Sequence, residues 1–247
     1  GFHPVNLGDI VHGRVDAVVP AGGRAIGITV DDSHPSAIYN RRENPLAQCG
    51  ASFLELYLRS AAEHRVQPRA SFFLTREVDD RVAGLEGYFA NPGFADDLAA
   101  IRERLPGVEF GYHTARHVLL KYRTGEETRA ILAEQMEEFR TLGIFDLVEP
   151  ILAYPYGLPA NEEGIAAIRG LGFAAAASAY PGLHEGKRGE APLCAYGEGL
   201  QGDPYRIPRI NLGGAIYDAQ FRFRSSSPLR KLFESFILRD NLYRRPA

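Results

Sequence analysis

Short apolar runs of four to six residues recur along the chain, and most are separated by stretches whose apolar residues fall at helical spacing. Such a pattern leaves few architectures open, because strands separated by helical crossovers must run parallel and be covered by those helices. The runs are residues 25–30 (AIGITV), 71–74 (SFFL), 108–111 (VEFG), 151–154 (ILAY), 173–178 (FAAAAS) and 205–210 (YRIPRI). Between them, residues 52–64 carry Phe53, Leu54, Leu56, Tyr57 and Ala61 on one helical side, and residues 94–105 read as a second helix. Thr124 and Glu127 form a capping box that opens a third, with Ile131, Leu132, Met136, Phe139 and Leu142 along it. Residues 162–169 are helical up to Gly170 and Gly172, and Leu229, Leu232, Phe233, Phe236 and Ile237 mark a last helix beginning near Pro228. The predicted class is α/β with a mostly parallel sheet; the periodicity fits an open sheet and a closed barrel equally.

The 247 residues show no internal repeat and no low-complexity boundary, so a single domain over residues 1–247 is expected. Hydrophobic residues make up 45%, enough for a sizeable core. The net charge of −3 gives no electrostatic footprint for nucleic acid or an anionic membrane. The most apolar stretch, residues 173–180, is too short to span a bilayer. The chain begins Gly1-Phe-His-Pro4 with no methionine and no cationic-then-apolar leader, which reads as a mature or cut start. Two cysteines, Cys49 and Cys194, exclude a disulfide scaffold and a four-cysteine zinc site but allow one bridge. Three long polar segments, residues 33–50, 79–95 and 181–204, are placed where loops on an α/β scaffold build a binding face.

The chemistry concentrates at three strand ends. Asp31 and Asp32 directly follow the first run, at the C-terminal end where parallel α/β folds gather functional groups. Adjacent strand residues point to opposite faces, so one carboxylate can serve a metal and its neighbour a proton if the strand end bends. An acidic pair standing alone would more often be a cap or a solvated edge. His113 and His117 are four apart, so on a helical turn both imidazoles would project from one face towards one ion. A carboxylate with two imidazoles suits Zn²⁺ or a related divalent ion and leaves positions for water and substrate. In Ala153-Tyr-Pro-Tyr-Gly157 a strand end turns sharply at Pro155 and Gly157, which can present a backbone N–H at the site mouth.

Taken in order, Thr29-Val-Asp-Asp-Ser33, His113-Thr-Ala-Arg-His117 and Ala153-Tyr-Pro-Tyr-Gly157 resemble the first three motifs of the polysaccharide deacetylase family. These are the metal-dependent carbohydrate esterases of the chitooligosaccharide-deacetylase type. The similarity runs over residues 25–212; Ala70-Ser-Phe-Phe-Leu74 resembles the family's second strand, and Asn161 to Phe173 the helix and strand after the third motif. The resemblance implies a distorted (β/α) barrel of about seven parallel strands. It implies Asp31 as general base, Asp32, His113 and His117 as metal ligands, and the Tyr156 backbone N–H as oxyanion donor. One divalent ion is implied, Zn²⁺ first, with Co²⁺, Ni²⁺, Mn²⁺ and Fe²⁺ as alternatives. The implied partner is an acetylated glycan, such as a β-linked N-acetylglucosamine polymer, met outside the cytoplasm.

Several positions depart from the family pattern. Val30 and Ser33 replace the usual Phe and Gly, both mild changes. Ala153 stands where an arginine often opens the third motif; Arg209 is the candidate cation for orienting Asp31, because Pro208-Arg-Ile-Asn211 after Pro204-Tyr205 resembles members with the same Tyr-Pro-Tyr-Gly form, and a surface arginine at a strand end is the competing reading. No histidine follows His184, although many members carry a catalytic-acid histidine late in the chain. Some members hold it instead on a permuted N-terminal strand, upstream of a segment similar to Gly1-Phe-His-Pro-Val-Asn-Leu7, which would put the general acid before Gly1. His34 could approach the site, His184 could line a groove, and His3, His12 and His64 read as surface or packing residues. Among Tyr154, Tyr156, Tyr180, Tyr196 and Tyr205, only Tyr156 has a motif position to support a substrate contact. The absence of tryptophan argues against an extended sugar platform. The expected activity is metal-dependent N-deacetylation of a polysaccharide or oligosaccharide, a hydrolysis of a carbon–nitrogen bond. The alternatives are a catalytically silent glycan-binding or envelope-scaffold protein, and a metal-dependent amidase on a non-sugar substrate.

Overall fold

Parallel strands buried on both faces need apolar side chains in both directions, and the computed structural model shows where each set goes. It describes residues 2–31, 52–76, 93–178 and 203–209. Asp32, His34, Tyr180, His184, Tyr196, both cysteines, most of the three polar segments and the expected C-terminal helix lie outside those residues. The described strands are β1 (Phe2–Val5), β2 (Arg24–Gly27), β3 (Thr29–Val30), β4 (Ala70–Leu74), β5 (Val108–Tyr112), β6 (Val148–Ala153), β7 (Ala175–Ser178) and β8 (Ile207–Pro208). β1 pairs with β2, and β3 to β8 form a six-stranded sheet in chain order, every pairing parallel. The predicted strand over residues 25–30 is therefore split at Ile28, whose N–H donates to the Val5 carbonyl and whose own carbonyl accepts from Ser71. Counting that broken strand once, the described residues hold the seven parallel strands expected.

The strand period of two sorts the core into layers. Ala70, Phe72 and Leu74, Val108, Phe110 and Tyr112, and Leu152 and Tyr154 pack outward against the helices. Phe73, Ile151, Ala153, Ala175, Ala177 and Ile207 face inward, where they meet Val5, Leu7, Ile10, Val15 and Val19 from the N-terminal segment. The helices follow their sequence signals. Phe53–Glu63 opens on a Ser52/Glu55 capping box and Gly125–Thr141 on the Thr124/Glu127 box. Glu162–Gly170 is capped by Asn161, whose side chain accepts from Gly164, and the chain turns at left-handed Gly172.

Two stretches differ from expectation. The expected strand over residues 205–210 does not begin at Tyr205: Pro204–Arg206 is a 3₁₀ turn, and among the described residues of that range only Ile207–Pro208 pairs with β7. Asp203 caps that turn through the Tyr205 N–H, and the buried Tyr154 hydroxyl donates to the Tyr205 carbonyl, so local hydrogen bonds outcompete strand propensity. At the N-terminus, β1 and the short helices Leu7–Val11 and Val15–Val18 are too brief for a periodicity to show. Their one sequence signal is the reciprocal Asn6/Asp9 cap. This segment docks under β4 and β5: Leu7 N–H donates to Ser71 Oγ (2.7 Å), Gly8 N–H to Glu109 Oε1 (2.8 Å), and Arg69 holds Asp9 through two bonds of 2.7 and 2.8 Å.

The sheet is curled. A flat six-stranded sheet would separate its edge strands by about 24 Å, yet Arg209, just after β8, bonds to Thr29 and Asp31 at the end of β3. The interior beneath that contact is tight at Gly111, where a Cβ would lie 2.6 and 2.7 Å from the Phe73 ring and 2.8 Å from the Ile151 carbonyl oxygen. Gly111→Ala is expected to cost roughly 1–3 kcal/mol through overpacking. Chemical denaturation checks this, and an unchanged midpoint would mean that Phe73 gives way freely.

Candidate functional site

The three motifs arrive at one rim because they follow neighbouring parallel strands: Asp31 follows β3, His113 follows β5 and Tyr156 lies in the turn after β6. Arg209 joins them from beyond β8.

The segment between the histidines is not a helical turn. Thr114 (φ 59°) and His117 (φ 50°) are both left-handed, which ends any right-handed helix and costs roughly 1–2 kcal/mol per residue. A β-branched residue such as Thr114 is seldom found there. The loop is held by its own bonds: Val118 N–H donates to Thr114 Oγ1 (2.8 Å), Thr75 Oγ1 donates to the Thr114 carbonyl (2.8 Å), and Arg76 N–H donates to the Ala115 carbonyl (2.9 Å). The spacing of four therefore converges by a different route, and the two imidazole centroids stand 4.9 Å apart. His113 is fully buried, with Nδ1 2.8 Å from the Ala153 carbonyl. That contact requires the proton on Nδ1 and leaves the lone pair on Nε2, the tautomer that a metal-ligating histidine needs. Ala153, which lacks the arginine side chain, contributes through its backbone.

Asp31 is clamped by Arg209 through paired bonds, Nη1 to Oδ1 at 2.5 Å and Nη2 to Oδ2 at 2.8 Å. The guanidinium is also fixed by Thr29 Oγ1 and the Ser178 carbonyl, each at 3.2 Å, and lies 5.5 Å from the Phe73 ring centre. Burial works to raise the Asp31 pKa, but Arg209, with His113 and His117 close by, outweighs it and holds the carboxyl below its ordinary range. Thr29 stands in the first motif and Phe73 in the family-like second strand, but nothing in the sequence marked either of them, or the Ser178 carbonyl, as a partner of this cation.

Tyr156 is left-handed (φ 57°) and 62% exposed, with its ring 4.4 Å from the His117 ring. Pro155 before it brings no N–H, so the first backbone donor of this turn is that of Tyr156. Tyr154 and Tyr205 are buried, their hydroxyls spent on the Tyr205 and Phe173 carbonyls, so neither offers a face to a sugar.

The donor set suits a divalent ion as far as it is described. Two imidazoles converge, one with its tautomer set by a carbonyl. The third expected ligand, Asp32, lies outside the described residues, and among those residues no group of three metal-binding side chains forms. None of the described helices is long and apolar enough to cross a membrane.

No protein-family model matches the chain, and no curated protein does. Among solved structures, it is similar to the Streptococcus pyogenes deacetylase PplD in complex with acetate, at 12% identity and a TM-score of 0.52, over 85% of this chain and 75% of that one. Two others are more distant. The chitin deacetylase of the fungal pathogen Colletotrichum lindemuthianum gives 14% identity and a TM-score of 0.41, over 74% and 72% of the two chains. BA3943, a CE4 family pseudoenzyme from Bacillus anthracis, gives 16% and 0.39, over 62% and 44%. The curled parallel sheet of this chain is thus the fold of the streptococcal deacetylase, in keeping with the distorted (β/α) barrel expected from the motif resemblance.

Proposed function

We propose that the chain is a metal-dependent deacetylase that hydrolyses the acetamide of an N-acetylated glycan, with β-linked N-acetylglucosamine polymers as the substrate class. The observation that carries this reading is the Arg209-clamped Asp31 sharing a rim with the His113–His117 pair and Tyr156. The fold shared with a deacetylase solved with acetate supports it.

In this reading His113 and His117, with Asp32, hold one divalent ion, most suitably zinc for that donor set. When bound, the ion acidifies a water and polarises the acetyl carbonyl. Asp31 accepts the water's proton; Arg209 occupies one lone pair on each carboxylate oxygen and leaves the others available. The Tyr156 N–H donates to the carbonyl oxygen as it gains negative charge. The missing late histidine and Ala153 are the features that favour a catalytically silent glycan binder; Arg209 answers the second by supplying a cation from the far edge of the sheet.

The test is acetate release from N-acetylglucosamine oligomers by the protein as purified, after chelation, and after resupply of Zn²⁺ or Co²⁺. Release that disappears on chelation and returns with metal is expected. Oligomer binding without release at any metal loading would establish the silent alternative, and release from simple amides alone would establish the amidase.

A further inference from the structure

We infer that Thr75 is a positioning residue for the histidine loop: its hydroxyl, from the end of β4, holds the left-handed turn that brings His113 and His117 together. The inference rests on the reading that these histidines bind a metal. Thr75 is 1% exposed and belongs to none of the three motifs. It follows Leu74, the last residue of β4, which pairs with Tyr112, the residue before His113. From there Oγ1 donates to the Thr114 carbonyl at 2.8 Å, with the Ala115 carbonyl at 3.4 Å. Thr114 is the residue whose φ of 59° departs most from what its β-branched side chain prefers, and it directly follows the buried imidazole. A backbone held in such a conformation persists only when its surroundings over-determine it. Three restraints meet here: the Thr75 hydroxyl on the Thr114 carbonyl, the Thr114 hydroxyl on the Val118 N–H, and the Arg76 N–H on the Ala115 carbonyl. Of these, only the first comes from a side chain outside the loop, so a substitution can remove it without altering the loop itself.

Thr75→Val keeps the shape and removes the donor; Thr75→Ser keeps the donor. Two measurements separate this role from general stability. In metal-free protein, amide exchange at Val118 is expected to quicken about tenfold or more in Thr75→Val and to stay near wild type in Thr75→Ser, with helix Glu162–Gly170 unchanged as the control. In competition titrations with zinc and a chromophoric chelator, Thr75→Val is expected to bind about tenfold more weakly, as for loss of an outer partner of a metal site. Should the valine variant not fold, Thr75→Cys, with a weak S–H donor, carries the same expectation at smaller size. Unchanged Val118 exchange in Thr75→Val, or equal losses in the valine and serine variants, would overturn the inference. A wild-type protein that retains no zinc would instead overturn the metal reading, while the exchange measurement still decides whether Thr75 holds the loop.

Discussion

Arg209→Gln is expected to lower kcat/KM on an N-acetylated oligomer at neutral pH by about two orders of magnitude, and to move the acid limb of its pH profile upward. The two side chains are partly buried, 10% and 29% exposed, so removing one partner costs a part of the roughly 3–5 kcal/mol that a fully buried pair would, because the remaining charge is left undercompensated. About 2.7 kcal/mol of that reaching the transition state gives the hundredfold loss. The direction of the pH effect follows from the opposing influences on Asp31. Burial pushes its pKa up, and Arg209 with the two imidazoles pushes it further down. Without the guanidinium, burial prevails, the carboxyl holds its proton to higher pH, and the base is lost where the wild type still works. The same sign governs stability: the lowered pKa contributes stability above the ordinary carboxylate range that disappears as pH falls through the folded-state value, and the glutamine variant lacks that contribution. Arg209→Lys should fall between, since an ammonium keeps the charge but not the two-pronged geometry. Asp31→Asn sets the floor, keeping bound zinc and losing turnover. A glutamine variant whose acid limb coincides with wild type would remove Arg209 from the mechanism.

The contact also shows what the amino-acid order could and could not reveal. Asp31, His113, His117 and Tyr156 sit in short segments at strand ends, where residue type and position coincide, so they stand out in a single chain. Arg209 was named for Asp31 only through the motif resemblance: it lies 178 positions from its partner, and the pairing depends on a sheet curled enough to bring β8 round to β3, which no local pattern reports. The helices were legible from apolar residues at helical spacing and, at Thr124, from a cap that acts within one turn of itself; the Ser52 and Asn161 caps emerge only in the structure. The conformation between the histidines was not. A spacing of four fits a helical turn, and the left-handed geometry at Thr114 depends on Thr75, a side chain from another strand. Ala153 looked like a deficit for the same reason: its contribution is a carbonyl to His113, which every residue type carries.

The other large effect lies at the opposite end of the sheet interior and concerns folding rather than chemistry. Glu109 is 3% exposed, and burial there raises its pKa from 4.5 to about 7, against the bonds from Ser71 and the Gly8 N–H that favour the charged form. Glu149 and Asp9 add to the rise, while the nearby cations are engaged elsewhere, Arg69 with Asp9 and Arg102 with Glu149. A carboxyl whose folded-state pKa is raised binds its proton more tightly in the native protein than in the unfolded chain. Its contribution is therefore complete below pH 4.5 and is lost as pH rises through about 7. At about 1.4 kcal/mol per pH unit, the loss comes to roughly 3–4 kcal/mol. Glu109 Oε1 accepts the Gly8 N–H at the contact by which the N-terminal segment closes the interior, and what ionisation costs there is the desolvated charge, not that bond. Glu109→Gln keeps an acceptor for Gly8 and Ser71 and cannot ionise. The variant should be more stable than wild type at pH 8.5, by about 3 kcal/mol, and close to it at pH 4.5. Urea denaturation at the two pH values reads this directly: the wild type loses stability between them and the variant loses much less. Parallel losses in both proteins would show that Glu109 titrates as an ordinary carboxyl.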